Sequence, residues 1–203
     1  MSRRAIEEFA QSERAWIIKS ALAAAKKLHK AEKNSVAFLG TEYPLQFIRS
    51  KLLRKNGFCE IQDNNLHIHL PNNMTAEKEK LLAQKLLENW FRTQAAEIFQ
   101  QRADFYAAQM GVRYQSIKIT DPKSRWGSCD RFGNLALSWR TIMTPMELVD
   151  YLIVHELAHI IRFDHSPAYW RVVERIIPDY KERRKSLNTA EVSLNPAHPH
   201  QDD

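Results

Sequence analysis

Residues Thr144 to Trp170 read T-P-M-E-L-V-D-Y-L-I-V-H-E-L-A-H-I-I-R-F-D-H-S-P-A-Y-W, and no other stretch constrains the chain as tightly. It opens with a helix-start signal. Thr144 is placed to cap, Pro145 sits where a missing N–H costs nothing, and Glu147 falls three residues after the cap. Leu148, Leu152, His155 and His159 recur at helical spacing, so both histidines project from one face. Two imidazoles on one face can grip a single metal ion. Glu156 lies beside that face, within reach of a water activated by the metal but off the line of ligands. The H-E-x-x-H pattern thus encodes two ligands and a general base. A third ligand is still needed, and His165 stands six residues beyond His159. Asp164 and Ser166-Pro167 give the intervening chain the turn chemistry to leave the helix and fold back. A surface helix with coincidental histidines fits less well. The run from Tyr151 to Ile161 is otherwise apolar, and buried imidazoles need partners.

Ahead of this helix come S-R-W-G-S-C-D (Ser124 to Asp130) and G-N-L-A-L-S-W-R (Gly133 to Arg140). Together with V-H-E-L-A-H and H-S-P-A-Y-W, these runs resemble the YgjP-like metallopeptidase family, zinc-dependent hydrolases related to the SprT and WLM proteases. The similarity is strong over about the C-terminal half, from Trp90 to Leu187. It implies an α+β, zincin-like metallopeptidase domain: a small antiparallel sheet, an active-site helix and a long backing helix. It also implies Zn²⁺ as cofactor and a peptide or protein substrate. Position by position, the family's metal ligands fall on His155, His159 and His165, and its catalytic acid on Glu156. The family commonly carries a strand-rich segment ahead of the helix that matches Arg4 to Ala25, which this chain lacks, so the N-terminal half is expected to be either incomplete or built differently here.

Three neighbouring features bear on the chemistry. Arg125 can steady a substrate carbonyl or carboxylate, or else form an ion pair that fixes its loop; Tyr169 is a second candidate to help an oxyanion. Cys129 reads either as a small buried side chain or as an extra ligand. Glu174 occupies the kind of downstream position that supplies the third ligand in another class of zinc peptidases, but His165 is closer, and Glu174 is expected behind the ligands or facing solvent. The step from His159 to His165 also matches the metzincin spacing. Arg162 stands where that class needs glycine, and no methionine follows Met146, so the class is excluded.

The other elements can be read in order. Arg4 to Lys33 reads as a docking helix. Val36 to Leu39 and Tyr43 to Ile48 suggest a hairpin about Gly40, and Phe58 to Ile61 and Leu66 to Leu70 a second pair across Gln62-Asp63-Asn64-Asn65. His67 and His69 alternate with apolar residues, as in a half-exposed strand. Thr75 to Met110 reads as a long helix, capped by Thr75, ended by Gly111 and striped by Leu82, Leu86, Trp90, Phe91, Ala95, Ile98 and Phe105. Gln115 to Thr120 and Asn134 to Trp139 read as two antiparallel strands. Ser166 caps a further helix through Ile177. This divides the chain into a helix and β-hairpin lobe over 1–73, the metallopeptidase domain over 74–187 and a frayed tail over 188–203, whose His198 and His200 are not expected to be ligands.

Composition narrows the setting. At 203 residues the chain can bury a sizeable core, and its net charge of +6 permits, without requiring, contact with nucleic acid. Two distant cysteines imply no disulfide framework and suit the cytoplasm. No apolar run approaches a membrane span. Two alternatives to a simple peptidase remain. One is a DNA-associated, SprT-like protease using Arg171, Arg175, Arg183, Arg184 and Lys185 on phosphates. The other is a non-catalytic metal-binding module.

Overall fold

The computed structural model describes residues 35–53, 56–122 and 125–194. The helix expected over Arg4 to Lys33 lies outside them. Apart from Ser35 and Val36, the described residues belong to one compact unit, Ala37–Asp203.

β1 (Ser35–Phe38) and β2 (Thr41–Ser50) flank a two-residue turn. Leu39 and Gly40 both have positive φ, 50° and 79°, the conformation of the tight turn that matches strand twist. A side chain at Gly40 would also meet Pro145 at 3.0 Å, and Leu39 N–H donates to the carbonyl of Ile142. The hairpin tip therefore rests on the approach to the histidine-bearing helix. Asp63 and Asn64 form a second turn of positive φ between β3 (Phe58–Gln62) and β4 (Asn65–Pro71). Both hairpins match the turn residues in the sequence. The parallel pairing of β2 with β4, in the order β1-β2-β4-β3, is a long-range feature that no turn announces. One face of this sheet packs Leu45, Cys59, Ile68 and Leu70 against Leu82, Ala83 and Leu86. His67, on the other face, is itself buried, so β4 is covered on both sides and is not half-exposed as its alternation suggested.

The three packing residues belong to α1 (Ala76–Met110), which starts and ends as expected. Thr75 Oγ1 accepts from Lys78 N–H, and Gly111, at φ 68°, turns its N–H back to the carbonyls of Ala107 and Ala108. The buried stripe runs through Ala83, Phe91, Ala95, Phe99, Ala103, Tyr106 and Ala107. Phe105, expected within it, is 55% exposed and lies under the Arg102 guanidinium instead. It falls off the face shared by Phe99, Ala103 and Tyr106, because neighbours on a helix point about 100° apart.

A second sheet follows: β5 (Ser116–Thr120), β6 (Gly127–Cys129) and β7 (Asn134–Ser138), in the order β5-β7-β6. The expected antiparallel pairing of β5 with β7 is corrected, for these two strands are parallel and β6 is the antiparallel partner of β7. The reason is the turn at Asp130. Its carboxylate accepts from the N–H groups of Phe132 and Asn134, and Gly133 N–H returns to its carbonyl, which closes a tight β6–β7 hairpin. β6 thus takes the place beside β7 that a simple two-strand reading gave to β5.

A 3-10 turn (Trp139–Met143) leads into α2 (Met146–Ile161), then α3 (Pro167–Ile176) and α4 (Tyr180–Leu194). Thr144 does not cap α2. Its hydroxyl donates to the carbonyl of Thr141 within the 3-10 turn, and the chain enters the helix through Pro145, whose carbonyl accepts from Leu148 N–H. Ser166 does cap α3, accepting from Tyr169 N–H with Pro167 in the first turn. α4 runs past Asn188, where a frayed tail was expected, because no helix breaker intervenes before Pro196. α1 backs α2 directly through Arg102 and Asp150, joined by two hydrogen bonds of 2.6 and 2.8 Å. Among the described residues, no helix is long and apolar enough to cross a membrane.

Candidate metal centre

α2 is buried nearly all round, and Val149, Ile153, Val154, Leu157 and Ala158 are inaccessible to solvent. His155 and His159 emerge one turn apart on the side of α2 that faces the α2–α3 turn and α3. The chain leaves the helix at Arg162, and the turn before Ser166 swings His165 back over them. Asp164 Oδ1 accepts from Ser166 Oγ, which steadies that turn. The three histidines each offer one ring nitrogen, all within 4.8 Å of one another.

His155 Nε2 and His165 Nε2 lie 3.4 Å apart. Two nitrogens bound tetrahedrally to Zn²⁺ at about 2.0–2.1 Å would stand about 3.3–3.4 Å apart, so the spacing fits that ion. The protonation of His155 fits as well. Tyr169 Oη donates to the main-chain carbonyl of His155 at 2.8 Å and lies 2.7 Å from His155 Nδ1. A phenol carries one proton, and with that proton on the carbonyl its oxygen is left to accept from Nδ1–H. Nε2 then holds a bare lone pair, as a ligand must. Burial drives the His155 pKa down to about 3, and His159 and His165 push the same way, so the ring stays neutral. His159 is also lowered, by burial and then by His165, against the backbone groups of Arg162 and Phe163.

Glu156 points from the same helix towards β6. It is only 3% exposed, and a Cβ built on Gly127 would stand 2.6 Å from its Oε1. Glycine at 127 is therefore what lets the strand lie against the carboxylate. Burial pushes the Glu156 pKa up to about 8, and Arg125, exposed beside it, pulls the other way. Cys129 is half-buried, with its thiol raised to about 11 by burial and by the charges of Glu156 and Asp130. That favours the protonated, packed side chain over a thiolate ligand.

The structure brings His155, His159 and His165 together and leaves Glu174 exposed to solvent. His198 and His200 lie outside the described residues. Tyr169, read from sequence as an oxyanion helper, is fully buried behind His155. Trp170 stacks on His165 at 5.6 Å between ring centres, with Tyr180 stacked on its indole and the Arg184 guanidinium 4.9 Å from it. Sequence reasoning assigned Gly127 no part in the centre, and the only signal was its place inside the R-W-G-S-C run.

The family model described as "YgjP-like, metallopeptidase domain" matches residues 1–190, well beyond the segment from Trp90 onward. No curated protein matches the chain. Among solved structures, the metallopeptidase zymogen of Pyrococcus abyssi abylysin is similar at 22% identity, over 45% of this chain and 93% of that one, with a TM-score of 0.43. The match over nearly the full length settles the family: the chain belongs to the YgjP-like group and carries its metallopeptidase domain.

Proposed function

We propose that the protein is a zinc-dependent peptidase in which His155, His159 and His165 hold the ion and Glu156 moves the proton. The observation that carries this reading is the convergence of three imidazole nitrogens beside a carboxylate withdrawn from solvent. Three neutral imidazoles suit zinc better than magnesium or calcium, which prefer oxygen donors. When bound, zinc supplies Lewis acidity to the reacting centre.

The remaining steps belong to the chain's own groups. Tyr169 holds the His155 ring so that Nε2 faces the cluster. Glu156 takes a proton from the water that attacks the peptide carbonyl, then delivers it to the amide nitrogen as the C–N bond breaks. Burial raises the proton affinity of the carboxylate, which helps it to retain the proton it must deliver to the amide nitrogen. Arg125, exposed and close enough to Glu156 to act on its charge, would steady the substrate carbonyl. β6 is an edge of its sheet, so an extended peptide paired along it gains main-chain hydrogen bonds largely independent of sequence. The nucleic-acid reading has less to draw on. Arg183 is engaged with Asp179 and the carbonyl of Glu147, and Arg184 covers Trp170. The two cysteines, both unpaired, suit the cytoplasmic setting we assign.

Metal analysis with a peptide-library cleavage assay tests the whole reading. Glu156→Gln should keep zinc and lose about 10²–10⁴-fold in turnover. His159→Ala should lose both. Full hydrolysis by Glu156→Gln would refute the assigned proton shuttle, and metal-independent cleavage by the wild type would refute the mechanism.

A further inference from the structure

Glu60 on β3 and His67 and His69 on β4 form a second cluster, on the face of the first sheet opposite α1. Alternate residues of a strand share a face, so His67 and His69 point the same way. The register sets Glu60 directly across from His67, and Phe58 across from His69. Each of the three offers one donor atom, and these atoms lie within 4.8 Å of one another.

The side chains are held in this arrangement. Phe58 stacks flat on the His69 imidazole, 4.2 Å between ring centres and 8° between planes. Glu60 reaches diagonally to set Oε1 2.9 Å from His69 Nε2, yet the pair lacks the alignment of a hydrogen bond. His67 is 8% exposed, and its Nδ1 has no hydrogen-bond partner among the described residues. A salt bridge would account for Glu60 and His69 and leave a buried imidazole nitrogen unsatisfied. A shared cation would give all three donors a partner.

We propose that Glu60, His67 and His69 form a second site for a divalent transition metal, zinc being the ion best matched, separate from the centre on α2. Two imidazoles and one carboxylate are an established zinc donor set, and the nitrogen donors disfavour magnesium and calcium. The alternation on β4 and the cross-strand carboxylate on β3 make the site a product of register. Bound metal would tie β3 to the centre of its sheet. Glu60 is half-exposed, so the ion can enter from solvent without unfolding the sheet. The inference does not depend on the peptidase reading, because it shares no residue with the α2 centre.

Equilibrium dialysis of the full chain against Zn²⁺, after chelator treatment, separates the two sites. The wild type should bind two ions per chain. His155→Ala/His159→Ala should retain one, and Glu60→Gln/His69→Gln should also retain one, with far-UV circular dichroism unchanged. Glu60→Gln alone changes only a half-exposed side chain and guards against misfolding. It should weaken the zinc retained by His155→Ala/His159→Ala by about tenfold or more, the loss seen even for outer-shell partners. One ion per wild-type chain, unaffected by Glu60→Gln/His69→Gln, would overturn the proposal while leaving the α2 centre intact. Two ions surviving in His155→Ala/His159→Ala would refute the α2 centre and leave this one standing only if Glu60→Gln/His69→Gln removed one of them.

Discussion

Gly127 lies so close to Glu156 that a single added methyl would stand 2.6 Å from Oε1, 3.0 Å from Cδ and 3.1 Å from Cγ. The carboxylate is the far end of a flexible side chain, but one that is 3% exposed and hemmed in by its own helix and β6. It cannot swing into solvent, so any shift moves it within the site. Gly127→Ala should therefore lower kcat/KM by about 10²-fold, the usual cost of misplacing a reacting group by about 1 Å. Zinc content should hold, since the three atoms nearest the methyl all belong to Glu156. Steady-state kinetics beside metal analysis would check this, and loss of zinc together with activity would show that β6 supports the whole centre.

Tyr169→Phe tests the positioning of His155. The variant keeps the buried ring and removes only the hydroxyl that contacts Nδ1 and the carbonyl of the same residue. Without it, the tautomer with a bare Nε2 loses its support. Zinc affinity should fall about 10–100-fold, as for other outer-shell partners of metal-binding histidines. Competition with a chromogenic chelator measures that change directly. A variant with unaltered affinity would mean that the packing of α3 alone orients the ring.

The features that could be read from the residues were the local ones. Thr75 and Gly111 bracket α1 because a cap and a left-handed residue act within one turn. Gly40 and Asp63-Asn64 mark their hairpins for the same reason. The spacing of His155 and His159 is likewise a property of one helix. What escaped was set by distant pairings. β6 is three residues containing a glycine, too short to show a period, and only the Asp130 turn delivers it to β7. The parallel pairing of β2 with β4 joins strands separated by another strand in sequence. Thr144 has the chemistry of a cap, but the helix begins one residue later, after Pro145, and the threonine hydroxyl serves the 3-10 turn instead. At the site, the histidines could be read from spacing, whereas the partnership of Tyr169 with His155 needed two helices placed side by side.

Arg102 and Asp150 fasten the backing helix to the helix that bears the histidines. Asp150 is largely buried, its side chain 11% exposed, and it accepts two hydrogen bonds from a guanidinium that is 30% exposed. Removing the arginine leaves that carboxylate short of partners in a poor solvent. Arg102→Met should cost about 2 kcal/mol in urea unfolding, below the ~3–5 kcal/mol of fully buried pairs because water reaches this one. Arg102→Met/Asp150→Leu, which removes the stranded charge as well, should recover part of the loss. A double variant no more stable than the single would show that the pair's geometry, and not the unpaired charge, sets the cost.

Asp121 contributes to the behaviour of the fold in acid. Its carboxylate accepts from Arg140 Nε at 2.6 Å and from a second guanidinium nitrogen at 3.0 Å, and Arg92 stands 4.0 Å away. Both arginines lie over the Trp139 ring, so the carboxylate clasps α1, the end of β5 and the 3-10 turn around one indole. The bond to Arg140 is the main reason its pKa falls below the ordinary 3.8, with burial opposing. A carboxyl whose pKa is depressed by folding stabilises the protein above its unfolded pKa, and the stabilisation drains away as pH drops through the folded value. The wild type should therefore exceed Asp121→Asn in stability by a constant margin above about pH 5, and the margin should shrink as pH falls below about 4. The carboxylate is about a third exposed, so the margin itself should be modest. Paired urea titrations from pH 7 down to about pH 3 would measure it. A margin that widened in acid would mean that the clasp works chiefly through the protonated form, which two arginines on one carboxylate make physically unreasonable.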